Sequence, residues 1–338
     1  MRKLKLAAAL LAATAILLCP AAAVSGAQRA MRIWFSGVAP ALFPFLVLMP
    51  VLTGPEACTA YRLLFSKIMG PLFHLPGEAA PAMVIGMISG SPGGAIAISA
   101  IAARSGMQRG QVWRMAMAAA GVSPAYLIMG VGQGLYGSAS LGMKLACAQI
   151  CVQICMLLML RGWFAEESAI VAEAPAKMPD YPVRNAVETV LAICGYMVFF
   201  SSVGAVASSL LGRKAGRLLL VILDLPSGLA EIASNGFPMQ NFVLGVAIGF
   251  GGMCIAVQNL DALRGCGLSM RDYIAARSIA AGLMGSICMR ILPNQEMQPA
   301  ALLQNPVRPV VFSVLIAVFL AIPAVIYFAK KYVVNKTN

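Results

Sequence analysis

Few polar side chains in this sequence stand within long apolar runs, and those few are the groups that could do chemistry. Glu231 and Asn235 lie four residues apart in "LAEIASNG". Gln258, Asn259 and Asp261 follow a glycine cluster at Gly249, Gly251 and Gly252. Ser89 and Ser91 bracket Gly90 just ahead of Pro92, Gly93 and Gly94, and Ser123 directly precedes Pro124. Glu78, Gln133, Gln149 and Gln153 complete the set. An ionisable group at membrane depth costs about 2.5–3.5 kcal/mol on insertion scales, so its presence there argues for a role. A carboxylate at Glu231 can carry a coupling proton or Na⁺, or orient a ligand through Asn235. The competing reading makes it a helix cap at the interface. Gln149 and Gln153, one turn apart, suit hydrogen bonds between helices. Asp261 stands three residues before Arg264, the spacing of a local ion pair.

Enzyme chemistry finds no support. His74 is the only histidine, and the nine cysteines include no CxxC pair. That leaves no metal constellation and no nucleophile–base set. Ser91 sits among glycines but does not match Gly-x-Ser-x-Gly and lacks the strand–turn–helix setting of a nucleophile elbow. Cys147, Cys151 and Cys155 share one helix face and read as small packing residues.

The elements that must position these groups are membrane helices. Of 338 residues, 60% are hydrophobic and only 11% charged, with mean hydropathy +0.84. A soluble domain carries roughly 25% charged residues. At about 20 residues per span, the length allows about eight to ten membrane segments. The net charge of +13 is scattered over short connections, as the positive-inside rule expects. There is no basic arm and no basic–aromatic motif for nucleic acid. Arg2, Lys3 and Lys5 precede an apolar run, signal-like grammar that a polytopic protein retains as its first helix. Lys330 and Lys331 follow the last apolar run, Val310 to Ala329, so both termini are expected in the cytoplasm.

Along the chain, residues 1–30 form this first helix. Met31 to Gly37 reads as an interfacial helix anchored by Trp34. Residues 161–184 hold four of the twelve acids and three prolines and read as a solvated linker. The halves on either side, 31–160 and 185–338, repeat one grammar. "VIGMISGSPGGAIAISAIAARSGM" is answered by "LGVAIGFGGMCIAVQNLDALRGCGL", and "SKIMGPLFHLPG" by "GRLLLVILDLPSG". Both glycine clusters break what should be a membrane helix. Broken backbone at such depth is tolerated only where it is buried in protein or lines a cavity. Two glycine-interrupted segments in corresponding places are the best sequence pointer to a transporter's binding site. The rival reading is close helix packing at small residues. The repeats are expected to be inverted. An inverted pair places Arg104 and Arg109 opposite Arg264 and Arg271 across the membrane, whereas the positive-inside rule alone fits a parallel pair.

These motifs, with "LFPFLVL", "GPLFHLPGEAA", "GVGQGLYGSASLG" and "AEIASNG", resemble the YlbJ-type sporulation integral membrane proteins, over roughly Trp34 to Gly285. The chain departs from that pattern in having Ala95 after Gly94, Gly121-Val122 before Ser123, and Ala256-Val257 before Gln258. The resemblance implies two copies of the nucleoside-recognition Gate domain, one on each side of the linker. It also implies a permease-like protein of a membrane around the forespore, moving dipicolinate, an aromatic dianion. The expected fold is therefore an all-α polytopic membrane protein of two repeats with broken helices or re-entrant hairpins. Its expected partners are the lipid bilayer and a small anionic or aromatic substrate, with no cofactor beyond a coupling proton or Na⁺. Substrate-binding candidates are Ser89, Ser91, Gly93, Gly94, Ser123, Glu231, Asn235, Gly251, Gly252, Gln258 and Asn259. A nucleoside or nucleobase permease and a non-transporting assembly or sensor protein are the alternatives.

Overall fold

The computed structural model describes residues 2–162, 182–235 and 237–292. Most of the 161–184 linker and the whole 310–329 apolar run lie outside the described residues. Within the described residues the chain is helical and contains no strand. Five of its helical stretches are long and apolar enough to cross a membrane. Large apolar side chains are exposed along the outer helices, Leu17 at 79% and Phe35 at 75%. That distribution suits a bilayer as solvent.

Helix α1 (Arg2–Leu18) leads into α2 (Pro20–Ile33). A π-helical turn (Trp34–Val38) joins α2 to α3 (Ala39–Leu52), and α2 to α3 form one 33-residue span. Met31 to Gly37 therefore lies inside a span instead of forming a separate interfacial helix. Trp34 Nε1 donates to Val190 O at 3.0 Å, so this ring anchors a helix contact. Pro44 and Pro50 remove backbone donors within α3 without ending it. Helix α4 (Pro55–Phe73) closes at His74 in the left-handed conformation.

Two short helices follow, α5 (Ala80–Ser89) and α6 (Gly93–Ser105). In a continuous helix, residues eight apart are about 12 Å apart. Here a Cβ added to Gly94 would lie 2.7 Å from Gly86 Cα, so α5 and α6 fold back on one another. The hairpin turns at Gly90, where φ is +69°, then passes a cis Ser91–Pro92 bond. Helix α7 (Arg109–Ala119), started by a reciprocal Gln108–Gln111 capping box, breaks at residues 120–123. The chain resumes as a π-helical segment (Tyr126–Leu135), and Ser138 then caps α8 (Ala139–Leu160) by accepting from Leu141 N at 3.2 Å.

Beyond the linker, α9 (Pro182–Leu211) packs against α2, α3 and α10 (Arg213–Leu223). Helix α10 and α11 (Leu225–Asn235) make a second hairpin, because a Cβ on Gly228 would lie 2.6 Å from Val221 Cα. Its turn is Asp224. Helices α12 (Gln240–Phe250) and α13 (Gly252–Ala262) form one span interrupted at Gly251, φ +85°. Helix α14 (Met270–Ile291), capped by Ser269 Oγ on Arg271 N at 3.2 Å, ends the described chain.

The order hairpin, broken helix, unbroken helix thus occurs twice. The glycine clusters at 90–94 and 249–252, paired by the sequence pattern, sit in different kinds of element. The first is a hairpin tip and the second a break in a through-running span.

Packing at Gly94 leaves no room for a side chain. Gly94→Val is expected to destabilise the protein by about 1–3 kcal/mol through overpacking. Gly70→Ala in α4 meets nothing within 4 Å and is expected to be neutral or stabilising by up to about 1 kcal/mol. Thermal unfolding of the two purified variants in detergent checks the contrast.

Candidate functional site

The first hairpin tip docks on the first break. Ser91 N donates to Gly121 O at 2.8 Å, and Gly90 packs directly on the Ser123 backbone. The second tip docks on the second break, where a Cβ on Gly252 would lie 3.1 Å from Leu225 N. Ser91 N and Gly121 O, freed by the first tip and the first break, thereby satisfy one another inside protein, as the low dielectric requires.

Between the docked tips lies a cavity of about 50 Å³, several times the roughly 10–15 Å³ that one water needs on the same measure. Ser91, Ser123 and Tyr126 line it from the first half of the chain; Asp224, Cys254 and Gln258 line it from the second. Helices α3 and α9 close it with Leu42, Ile193 and Met197.

Asn259 ties the halves together. Its Nδ2 donates to Ser91 Oγ at 3.0 Å and to Tyr273 OH at 2.6 Å, while its Oδ1 has no hydrogen-bond partner. Gln258 Nε2 approaches Cys254 Sγ at 3.1 Å. Ser123 Oγ is buried without a hydrogen-bond partner. Asp224 is fully buried. Its Oδ2 accepts from Ser227 Oγ at 2.5 Å and Ser227 N at 3.4 Å, and its Oδ1 has no hydrogen-bond partner. Ser201 Oγ donates to Gly26 O at 3.1 Å and lies 3.2 Å from Ser227 Oγ, joining the hairpin to α9 and α2.

Of the residues singled out by the sequence, Ser91, Ser123, Gln258 and Asn259 converge here, with Gly251 and Gly252 forming the break beneath them. Ser89 turns back to Ile85 O at 2.8 Å within its own helix. Gly93 packs on Ser89 and Met49, and Gly94 on Gly86. Glu231 and Asn235 stand at the open end of the second hairpin, away from the cavity. Glu231 pairs with Arg217 at 2.8 Å and accepts from Asn235 Nδ2 at 2.9 Å, while Arg217 lies over the Phe237 ring at 4.4 Å. That clasp joins the two legs of the hairpin.

Asp224 is the residue that the sequence reading passed over. It stands in "LLLVILDLPSG", and the rule that picks an acid inside an apolar run selects it as readily as Glu231. Proximity of the proline and glycine makes the stretch look like an ordinary turn.

The arginines around the breaks are engaged by the chain itself. Arg104 donates to Thr53 O at 2.6 Å, closing the end of α3. Buried Arg114 reaches His74 O at 3.0 Å and Arg161 O at 2.5 Å, at the ends of α4 and α8. Buried Arg277 binds the carbonyls of Gly249 and Phe250 at the broken end of α12. A fork of donors on a helix C-terminus suits both the orphan carbonyls and the dipole. Arg264 pairs with Asp261, as their spacing predicts. Gln153 Nε2 donates to Ala119 O at 3.4 Å, the interhelical bond expected of the pair, whereas both side-chain amide atoms of Gln149 are buried without a hydrogen-bond partner. No group of three His, Cys, Asp or Glu side chains among the described residues could hold a metal.

Comparison with known proteins gives one informative match. The chain is 23% identical over 319 aligned residues to the sporulation integral membrane protein YlbJ of Bacillus subtilis (strain 168), covering 81% of this chain and 78% of that one. The match supports membership of the YlbJ-type family. No family model matches the sequence. No solved structure matches it. The chain is an integral membrane protein with all-α architecture.

Because Asn259 bonds Ser91, the two residues should be energetically coupled. Ser91→Ala and Asn259→Ala, alone and combined, are expected to show a coupling of about 0.5–1.5 kcal/mol. Equilibrium unfolding of the four proteins measures it, and additivity of the two losses would contradict the bridge.

Proposed function

We propose that this chain is a membrane transporter of a small aromatic or anionic metabolite, working in a sporulation membrane. The carrying observation is that two hairpin tips and two broken helices meet at one buried cavity lined by unpartnered polar atoms. Such construction suits alternating access, in which tips leave their breaks on one side of a central site at a time. In such a cycle substrate entry would open at least one tip. We take the recurrence of hairpin, broken helix and unbroken helix as two structural repeats, the Gate-type units that the resemblance implies. The relative is a sporulation integral membrane protein, and dipicolinate is the leading substrate on the resemblance.

A second reading has its own observation. The cavity's polar lining is neutral except for Asp224, with serine, glutamine and tyrosine groups that could hydrogen-bond a ring. That lining fits a nucleoside or nucleobase as well as a dianion. A dianion beside Asp224 would require a proton or Na⁺ on the carboxyl.

Uptake of labelled dipicolinate and labelled uridine into liposomes holding the purified full-length protein separates these readings. We expect uptake of dipicolinate, lowered about tenfold by Asn259→Ala, the equivalent of about 1.4 kcal/mol in binding or barrier, and largely retained in Glu231→Gln. Uptake of uridine alone would select the second reading. Loss in Glu231→Gln with Asn259→Ala intact would move the pathway to the clasp. No uptake of either by folded protein would favour a non-transporting assembly or sensor role.

A further inference from the structure

We infer that Asp224, at the tip of the second hairpin, is a reversible proton-binding site whose occupancy controls docking of that tip. Three independent features carry this. The side chain is fully buried and lines the cavity. One oxygen, Oδ2, is held by Ser227 at the start of α11, which fixes the carboxyl in place. The other, Oδ1, is buried and has no hydrogen-bond partner. A lone carboxylate among apolar groups is unfavourable unless it gains a proton, a cation or a donor. Hard cations need a cage of several oxygens, and among the described residues the one side-chain oxygen bonded to the carboxyl is Ser227 Oγ, which donates to Oδ2. A proton needs only the one free oxygen.

The charged or titratable groups within electrostatic reach of the carboxyl are Arg29 from α2, Tyr126 from the first half and Cys254 from α13. None of them hydrogen-bonds Oδ1. With Oδ1 protonated, the carboxyl is neutral and the tip can stay docked against Gly252. Loss of that proton to solvent leaves a charge that favours a hydrated, undocked tip. Carboxylate and proton combine to carboxylic acid and separate again, with no other bond formed or broken. As the site of coupling, this inference rests on the transport reading. As a proton-binding site it stands alone.

Infrared difference spectroscopy between acidic and alkaline pH, on purified full-length protein, reads the carboxyl directly. The expected result is a protonated-carboxyl signal that disappears in Asp224→Asn, persists in Glu231→Gln and is indifferent to Na⁺. Asparagine still caps α11, and monodispersity with retained helical content establishes that the variant is folded. Asp224→Glu should restore a signal displaced in pH. Spectra identical in wild type and Asp224→Asn would overturn the inference, as would a signal abolished by Na⁺. In liposomes, an inward proton gradient should accelerate uptake by wild type, and Asp224→Asn should lose that acceleration. Gradient-driven uptake surviving in Asp224→Asn would overturn the coupling role. A titrating Asp224 in protein that moves neither dipicolinate nor uridine upholds the proton site while the transport reading falls by itself.

Discussion

Every interruption of a helix in this protein has to satisfy its own backbone, and that requirement organises the interior. A peptide group left bare in hydrocarbon costs several kcal/mol. The chain meets the demand by setting interruption against interruption. The tip at Gly90–Pro92 donates into the gap after α7, and the tip at Asp224 covers the gap at Gly251. Arginines add to this. Arg277 takes the loose carbonyls of α12, and Arg114 those closing α4 and α8. The basic residues near the breaks are accordingly part of the scaffold, with their donors committed to the chain.

Docking of this kind is reversible in a way that a packed core is not. The first tip is held by Ser91 N on Gly121 O, Asn259 on Ser91 Oγ and a glycine contact, the second by the close approach of Gly252 to Leu225, and intramolecular hydrogen bonds contribute only about 0.5–1.5 kcal/mol net. The legs behind the tips are held more firmly. Gly86 on Gly94 brings the first pair to backbone contact, and the Arg217–Glu231 clasp closes the base of the second. Stiff legs with weakly held tips are the arrangement expected of a gate. The Asn259 bridge to Ser91 and Tyr273 connects one tip to the opposite half, so movement of one side is felt by the other.

Much of the architecture was legible in the sequence. Hydropathy and the scarcity of charge identify a polytopic helical membrane protein. The glycine–proline clusters mark real interruptions, and Ser91, Ser123, Gln258 and Asn259 do meet. The pairing of the interruptions was not legible. Gly90–Gly94 and Gly249–Gly252 look alike as text, yet one turns a hairpin and the other bends a span. Local composition sets where a helix stops, whereas the direction taken afterwards depends on what packs behind it: Gly86 against Gly94 in the one case, Gly249 against Ala280 and Ala281 in the other.

The two acids show the same division. Sequence alone makes Glu231 and Asp224 equivalent, since each is a carboxylate beside an apolar run. The fold separates them by placing eleven-residue helix α11 between the tip and the base of one hairpin, so that Asp224 faces the cavity and Glu231 faces Arg217. Residue types and their spacing determined that this chain crosses a membrane in helices and breaks some of them, because both follow from hydrophobicity and backbone freedom near each residue. Only the tertiary structure decided which broken ends share a site and which carboxyl is left without a partner, because those depend on contacts between separate segments, up to the 168 residues between Ser91 and Asn259.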